Sequence, residues 1–221
     1  SPEHLKGREK ALRGLTDALT SPGKHAFIYG FRGVGKSSLA QTAAYQLQEA
    51  SRSPLIIACE PSSTFSQICN DILRLAFRIK PLETKSQNKI NVGGGYAGIT
   101  GNVGIERSTS APEIKIQSVN EAIGHFRTAY ENAKVGFVVV IDEFDQLTSP
   151  DEHQKIAILL KQLSEQSIPI RFIMCGIASS LEKLFSQHES VYRQVHSEEV
   201  DRVGLQARLD IIGDAATALK I

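Results

Sequence analysis

The chain has 221 residues, 41% of them hydrophobic, which suits one α/β domain with an insertion and supplies ample material for a core. Its net charge of +1 excludes a global attraction to nucleic acid or to anionic membrane, though not local basic patches. No apolar run approaches a membrane span and no signal-peptide pattern opens the chain, so a cytoplasmic protein with no membrane partner is expected. The three cysteines Cys59, Cys69 and Cys175 show no C-x-x-C pairing and read as buried thiols of a reducing compartment. The first residue is Ser1, so an excised or processed piece is the expectation.

Leu5 to Leu19 reads as an amphipathic helix, with Leu5, Leu12, Leu15 and Leu19 on or near one face. Ser21-Pro22-Gly23-Lys24 turns the chain into His25-Ala26-Phe27-Ile28-Tyr29, a short apolar strand. Gly30-Phe31-Arg32-Gly33-Val34-Gly35-Lys36-Ser37 follows, with the pattern G-x-x-x-x-G-K-S. Glycines at that spacing let successive N–H groups turn inward as an anion nest. Lys36 then reaches β- and γ-phosphates, and the Ser37 hydroxyl sits on Mg²⁺. Ser38 to Gln48 is a helix former, so its positive dipole end faces the same phosphates. Strand, glycine loop and helix in register make a chance glycine turn a poor alternative.

Beyond the break at Ser51-Arg52-Ser53-Pro54, Leu55 to Cys59 reads as a second buried strand and Phe65 to about Lys80 as a helix. From Pro81 to about Ser118 the sequence turns polar and glycine-rich, with Val92, Tyr96, Ile99, Val103 and Ile105 spaced among glycines. Such a stretch is far longer than an ordinary αβ connection. It reads as an insertion, either a hairpin that binds DNA or protein or a solvated insert. Lys85, Lys89, Arg107 and Lys115 make it mildly basic.

Val119 to Ala133 returns to helical spacing, and Phe137 to Ile141 is a continuous apolar run of the kind buried on both faces of a parallel sheet. It ends in Asp142-Glu143-Phe144-Asp145. Four apolar residues followed by Asp-Glu form the Walker B pattern. Asp142 would hold the Mg²⁺ shell and Glu143 would orient and polarise a water. Asp145 either caps the following turn or reaches the metal's outer shell. His153 to Gln166 is a helix, Ile170 to Cys175 a fourth apolar strand closed by Gly176, and Ser180 to Phe185 a short helix. A weak strand falls within Val195 to Val203, and Leu205 to Leu219 forms a last helix.

Alternating strands and helices imply parallel pairing, with ligands at the carboxyl ends of the strands. The glycine loop, Asp142-Glu143 and Cys175-Gly176 all fall at such ends. A further cation at the γ-phosphate would come from Arg193, Arg202, Arg171 or Arg32, the alternative for each being an ordinary surface arginine.

Assembled in this way, the chain resembles an AAA+ ATPase of the ASCE P-loop class, nearest to initiator (origin-recognition-like) and STAND-type ATPases, over most of its length outside 81–118. Leu5-x-Gly7-Arg8-Glu9 resembles the opening helix that covers the adenine in those families. Ile28-Tyr29-Gly30 into Gly33-Val34-Gly35-Lys36-Ser37-Ser38-Leu39 resembles their Walker A, and Val140 to Leu147 their Walker B. The resemblance implies a three-layer fold with a five-stranded parallel sheet in the order 5-1-4-3-2 and a hairpin-like insertion. It implies ATP or ADP at Gly30, Arg32, Gly33, Val34, Gly35, Lys36, Ser37, Ser38 and Arg8, Mg²⁺ at Ser37 and Asp142, and catalysis by Glu143, Lys36 and Arg193. Ser190-Val191-Tyr192-Arg193 is similar to the arginine-finger stretch offered to a neighbouring subunit, so a homo-oligomer is implied. Cys175 stands where the family carries a polar sensor, with Ser179 or Ser180 as substitutes. Residues 1–205 are expected to form the nucleotide-binding core and 206–221 the start of a helical lid that is otherwise missing. Three functions compete: an ATPase that assembles head to tail, slow in isolation; an ADP/ATP switch of the STAND type; and a DNA-associated initiator or transposition-type ATPase.

Overall fold

The computed structural model describes residues 6–48, 53–78, 116–187 and 189–219. The elements run α1 (Glu9–Thr20), β1 (His25–Tyr29), α2 (Lys36–Leu47), β2 (Leu55–Ala58), α3 (Phe65–Arg78), α4 (Val119–Ala133), β3 (Phe137–Asp142), α5 (Pro150–Glu165), β4 (Ile170–Gly176), α6 (Ala178–Gln187), β5 (Val195–Glu199) and α7 (Leu205–Leu219). Short 3₁₀ turns cover Phe144–Gln146 and Glu189–Arg193. The glycine-rich stretch lies outside the described residues, apart from its last few positions.

The strands form one sheet in the order β2-β3-β4-β1-β5, with every pairing parallel. Read from the other edge, this is the expected order 5-1-4-3-2. Parallel strands need helical crossovers, and those helices cover both faces. The pleat divides the strand residues between two cores. Ala26, Ile28, Val138, Val140, Ile173 and Cys175 face α1 and α2. Phe27, Val139, Ile141, Phe172 and Met174 face the other way, into a layer that includes Ile72, Phe126, Leu160 and Leu184. The first layer is built with small residues: Ala40, Ala43 and Ala44 of α2 are fully buried and let that helix lie close against the sheet. The second layer is aromatic, with Phe27 edge-on to Phe144 at 5.5 Å and Phe144 edge-on to His153 at 5.4 Å. Leu12, Leu15 and Leu19 fix α1 on the first face, each burial contributing about 2 kcal/mol.

Local signals set the helix ends. Ser118 Oγ accepts from the Glu121 amide at 3.2 Å while the Glu121 carboxylate accepts from the Gln117 amide at 2.7 Å, a reciprocal pair that starts α4. Pro150 at the first turn, with Asp151 and Glu152 behind it, starts α5 three residues before the expected His153. One strand differs from expectation in burial. Among the described residues β2 pairs with β3 alone, at the edge the expected order gives it, and Ile56 is exposed, so the strand is less buried than expected. Among the described residues, no helix is long and apolar enough to cross a membrane.

Candidate functional site

The site begins where β1 ends. Gly30 has φ +151°, and a Cβ there would stand 2.2 Å from the Val200 carbonyl oxygen, so only glycine fits the gap between the loop and the end of β5. That closeness is fixed by the Val200 amide, which donates to the Tyr29 carbonyl at 2.8 Å. Gly35 is limited by conformation instead: it has open space around it but sits at φ +95° as the residue that opens α2. The chain therefore passes from strand to loop to helix without a spacer, and α2 starts at Lys36, two residues before the expected Ser38.

Across from this loop stand the residues after β3. Asp142 Oδ1 accepts from the Glu143 amide at 2.9 Å, and the Gln146 amide donates to the Glu143 carbonyl at 2.8 Å. Between these bonds Glu143 takes φ +53°, a left-handed conformation that is costly for a side chain with a Cβ and is typical of functional turns. Phe144, fully buried between Phe27 and His153, anchors the turn from below.

A cleft of about 320 Å³ lies between the two segments, lined by Arg32, Gly33, Gly35, Lys36, Ser37, Ser38, Asp142, Glu143, Asp145 and Cys175. Its volume suits a small-molecule ligand. Lys36 Nζ donates to the carbonyls of Gly30 at 3.1 Å and Phe31 at 2.9 Å, which holds the ammonium over the loop. Arg32 Nη2 lies 3.4 Å from Asp145 and 3.8 Å from Glu143. Burial pushes the Cys175 thiol pKa up, with the nearby Asp142 charge acting the same way. Cys59, beyond the end of β2, is raised to about 12 by burial and by the charges of Asp142 and Asp145. Both thiols are thereby kept protonated and chemically quiet.

The expected residues do not all reach the cleft. Gly30 and Val34 stand behind it, Gly30 lending its carbonyl to Lys36 and Val34 lying buried in the core beneath α2. Arg8 also works from behind. Its guanidinium donates to the Val34 carbonyl at 2.8 Å and to the Asp201 carbonyl, tying the start of α1 to the loop and to the segment after β5. Burial lowers the Arg8 pKa from its ordinary value, and the Asp201 charge opposes that shift. Arg193 is exposed on the turn preceding β5, at the opposite end of the sheet. Arg171 donates to the Leu19 carbonyl at 2.6 Å, a structural contact that removes it as a candidate for the site. Ser179 and Ser180 lie on α6, outside the cleft lining. Of the two roles expected for Asp145, the turn cap is not made among the bonds described, and its carboxylate instead faces Arg32. The spacing of two beyond Glu143 was its only sequence signal.

The donor set fits Mg²⁺ with a polyphosphate. No three His, Cys, Asp or Glu side chains gather as a metal cage among the described residues. Mg²⁺ is commonly held by one or two carboxylates together with substrate phosphates, and Asp142 and the Ser37 hydroxyl share this cleft.

An AAA ATPase domain family model matches residues 4–173. The chain belongs to that family: it is an AAA ATPase domain, an ATP-binding P-loop hydrolase fold. No curated protein matches the sequence. The fold is similar to the ORC1 protein of Aeropyrum pernix in complex with DNA, at 16% identity and a TM-score of 0.60 over 97% of this chain and 50% of that one. It is similar to a Walker-type ATPase of Pyrococcus abyssi, at 15% identity and a TM-score of 0.67 over 98% of this chain and 59% of that one. Cdc6p from Pyrobaculum aerophilum gives 17% identity and a TM-score of 0.59 over 96% of this chain and 50% of that one. The chain thus spans between 50% and 59% of the length of these three structures.

Proposed function

We propose that this chain binds and hydrolyses Mg·ATP and couples nucleotide binding to oligomerisation or to the control of attached modules. The observation that carries the reading is one cleft shared by Lys36 and Ser37 from the glycine loop and by Asp142 and Glu143 from the end of β3. In the reaction, loop amides and Lys36 neutralise the β- and γ-phosphates. Ser37 and Asp142 would hold Mg²⁺, which would supply charge neutralisation when bound. Glu143 orients the attacking water and draws off its proton. Chemistry of this kind is positioning and charge compensation, so the pre-set loop and turn provide most of what the protein must supply.

The lone chain is expected to turn over slowly, because Arg193 lies at the far end of the sheet and serves a neighbour's nucleotide. Residues 1–205 are the nucleotide-binding core. α7, with Leu205, Leu209 and Ile212 exposed, begins a helical lid. An ADP/ATP switch with little turnover is the second reading, favoured by the tie between Arg32 and the two acids after β3. Mass spectrometry of the nucleotide carried through purification separates the two: retained ADP with near-zero turnover supports the switch. DNA or protein association through 81–118 rests on Lys85, Lys89, Arg107 and Lys115 alone. Salt-sensitive DNA binding that survives deletion of that stretch would exclude it.

The deciding measurement is thermal stability. At a hundredfold excess over Kd, Mg·ATP should stabilise the chain by about 2.7 kcal/mol and raise its Tm. Lys36→Ala should weaken ATP binding by roughly tenfold or more, since it removes a charge-assisted contact to phosphate. An unmoved Tm in the parent and no effect of Lys36→Ala would end the nucleotide reading.

A further inference from the structure

Three carboxylates, Asp142, Glu143 and Asp145, line the cleft, and the cations among its lining residues are Lys36 and Arg32. Lys36 is held by loop carbonyls, whereas Arg32 crosses the cleft to the acids. The three members of that cross-cleft group differ in freedom. The Arg32 side chain is 73% exposed and that of Glu143 is 54% exposed, whereas that of Asp145 is 13% exposed. Asp145 is therefore the fixed end, seated in a 3₁₀ turn anchored by Phe144, and Arg32 is the movable one. Gly33 beside it has φ +77° and nothing within 4 Å of an added Cβ, so the Arg32 side of the loop borders open space.

We propose that Arg32 is a positioning residue with two seats: it is docked on Asp145, beside the Glu143 carboxylate, until a triphosphate draws it to the γ-phosphate and releases Glu143 to take the water. The inference rests on the nucleotide reading above. Its physical basis is competition for one guanidinium. An exposed Arg–carboxylate pair is weak, whereas a phosphate accepts two parallel N–H bonds from the planar fork of an arginine. The γ-phosphate is the group that ADP lacks, so the exchange discriminates triphosphate from diphosphate. Asp145 sets the threshold for that exchange and Glu143 reports it. The backbone of Glu143 does not have to move, because its amide and carbonyl are already bonded on either side.

Calorimetric titration of the 221-residue chain with Mg·AMP-PNP and Mg·ADP tests this. Asp145→Asn should tighten Mg·AMP-PNP by about threefold to fivefold, the scale of one exposed ion pair, and leave Mg·ADP within about twofold. Arg32→Ala should weaken Mg·AMP-PNP by about tenfold, and in that background Asp145→Asn should have no further effect. Arg32→Lys, which keeps the charge and loses the fork, should fall between parent and Arg32→Ala. Equal tightening by Asp145→Asn with and without Arg32 would mean simple charge repulsion and would overturn the exchange, as would equal shifts for both nucleotides. A parent chain that binds neither nucleotide overturns the nucleotide reading itself and this one with it.

Discussion

The two ends of the sheet use polar residues in opposite ways. At the amino end of the strands, polar side chains are buried and spent on backbone. His25 Nδ1 accepts from the Phe172 amide at 3.2 Å, so Nε2 carries the proton that faces the Leu160 carbonyl at 3.1 Å. Gln48 donates to the Gly136 carbonyl at 3.2 Å and accepts from the Val138 amide at 2.9 Å. Arg171 caps the end of α1 through the Leu19 carbonyl. At the carboxyl end, Lys36, Arg32, Asp142, Glu143 and Asp145 face an open cleft. Charge that would be costly to bury is tolerated there because the cleft is open to solvent. One end of the sheet is built for stability and the other for binding, and variants at the two ends should separate those properties.

The largest expected effect lies at the carboxyl end. Glu143→Gln keeps the shape and removes the proposed base, so turnover should fall by roughly a hundredfold to ten-thousandfold while Mg·ATP still binds. The Tm without nucleotide should stay within about 2 °C of the parent, because Glu143 is half-exposed and its backbone bonds survive. Single-turnover hydrolysis beside a binding titration checks both halves. Unchanged turnover would remove Glu143 from its assigned part.

How much of this contrast was legible in the sequence differs for the two ends. The carboxyl end was written locally: glycine spacing before Lys36 and Asp142-Glu143 after an apolar run each carry their chemistry within eight residues. Strand order followed from the resemblance that those motifs carried. Long-range partners were not legible. Nothing near Arg32 announces Asp145, 113 positions away, and nothing near Arg8 announces the Asp201 carbonyl. His25 reads as an ordinary residue in an apolar strand, and its structural role appears only when β4 and α5 are packed beside it. The exposure of Ile56 in β2 was hidden for a related reason. Leu55-Ile56-Ile57-Ala58 lacks the polar alternation that marks a half-exposed strand, and its neighbour on one side is set by the topology. The early start of α5 was available from Ser149-Pro150-Asp151-Glu152, a sequence that places proline in the first turn and acids at the positive dipole end.

A smaller effect, and one of stability alone, is expected at the amino end. Burial lowers the His25 pKa from 6.5 to about 4, against the raising influence of its Leu160 hydrogen bond. The unfolded chain therefore takes up a proton that the folded chain refuses. Stability from this group is fully present above pH 6.5 and is lost as pH falls towards 4, to a total on the order of 3 kcal/mol. Burial shifts His153 in the same direction, so the two act together. Urea denaturation at pH 7.5 and pH 4.5 should show the loss, and His25→Gln should flatten most of it. A slope unchanged in that variant would assign the acid sensitivity to other groups.

The smallest expected effect is the sharpest test of the division between ends. Arg193 closes the turn before β5, and Val195 pairs with His25 at the start of β1. The nucleotide cleft begins after Tyr29, beyond the other end of the same pairing. Five paired residues at about 3.3 Å each put roughly 16 Å of strand between Arg193 and the glycine loop, farther than an arginine side chain reaches. Lys24 also donates to the Arg193 carbonyl, which pins the turn where it is. In a dilute, monomeric sample, Arg193→Ala should therefore leave the Kd for Mg·ATP within about twofold of the parent. Any contribution to turnover should emerge only as protein concentration rises and a second copy brings its own amino end against the first copy's cleft. A tenfold loss of affinity in the lone chain would place Arg193 at its own nucleotide and erase the distinction between the two ends.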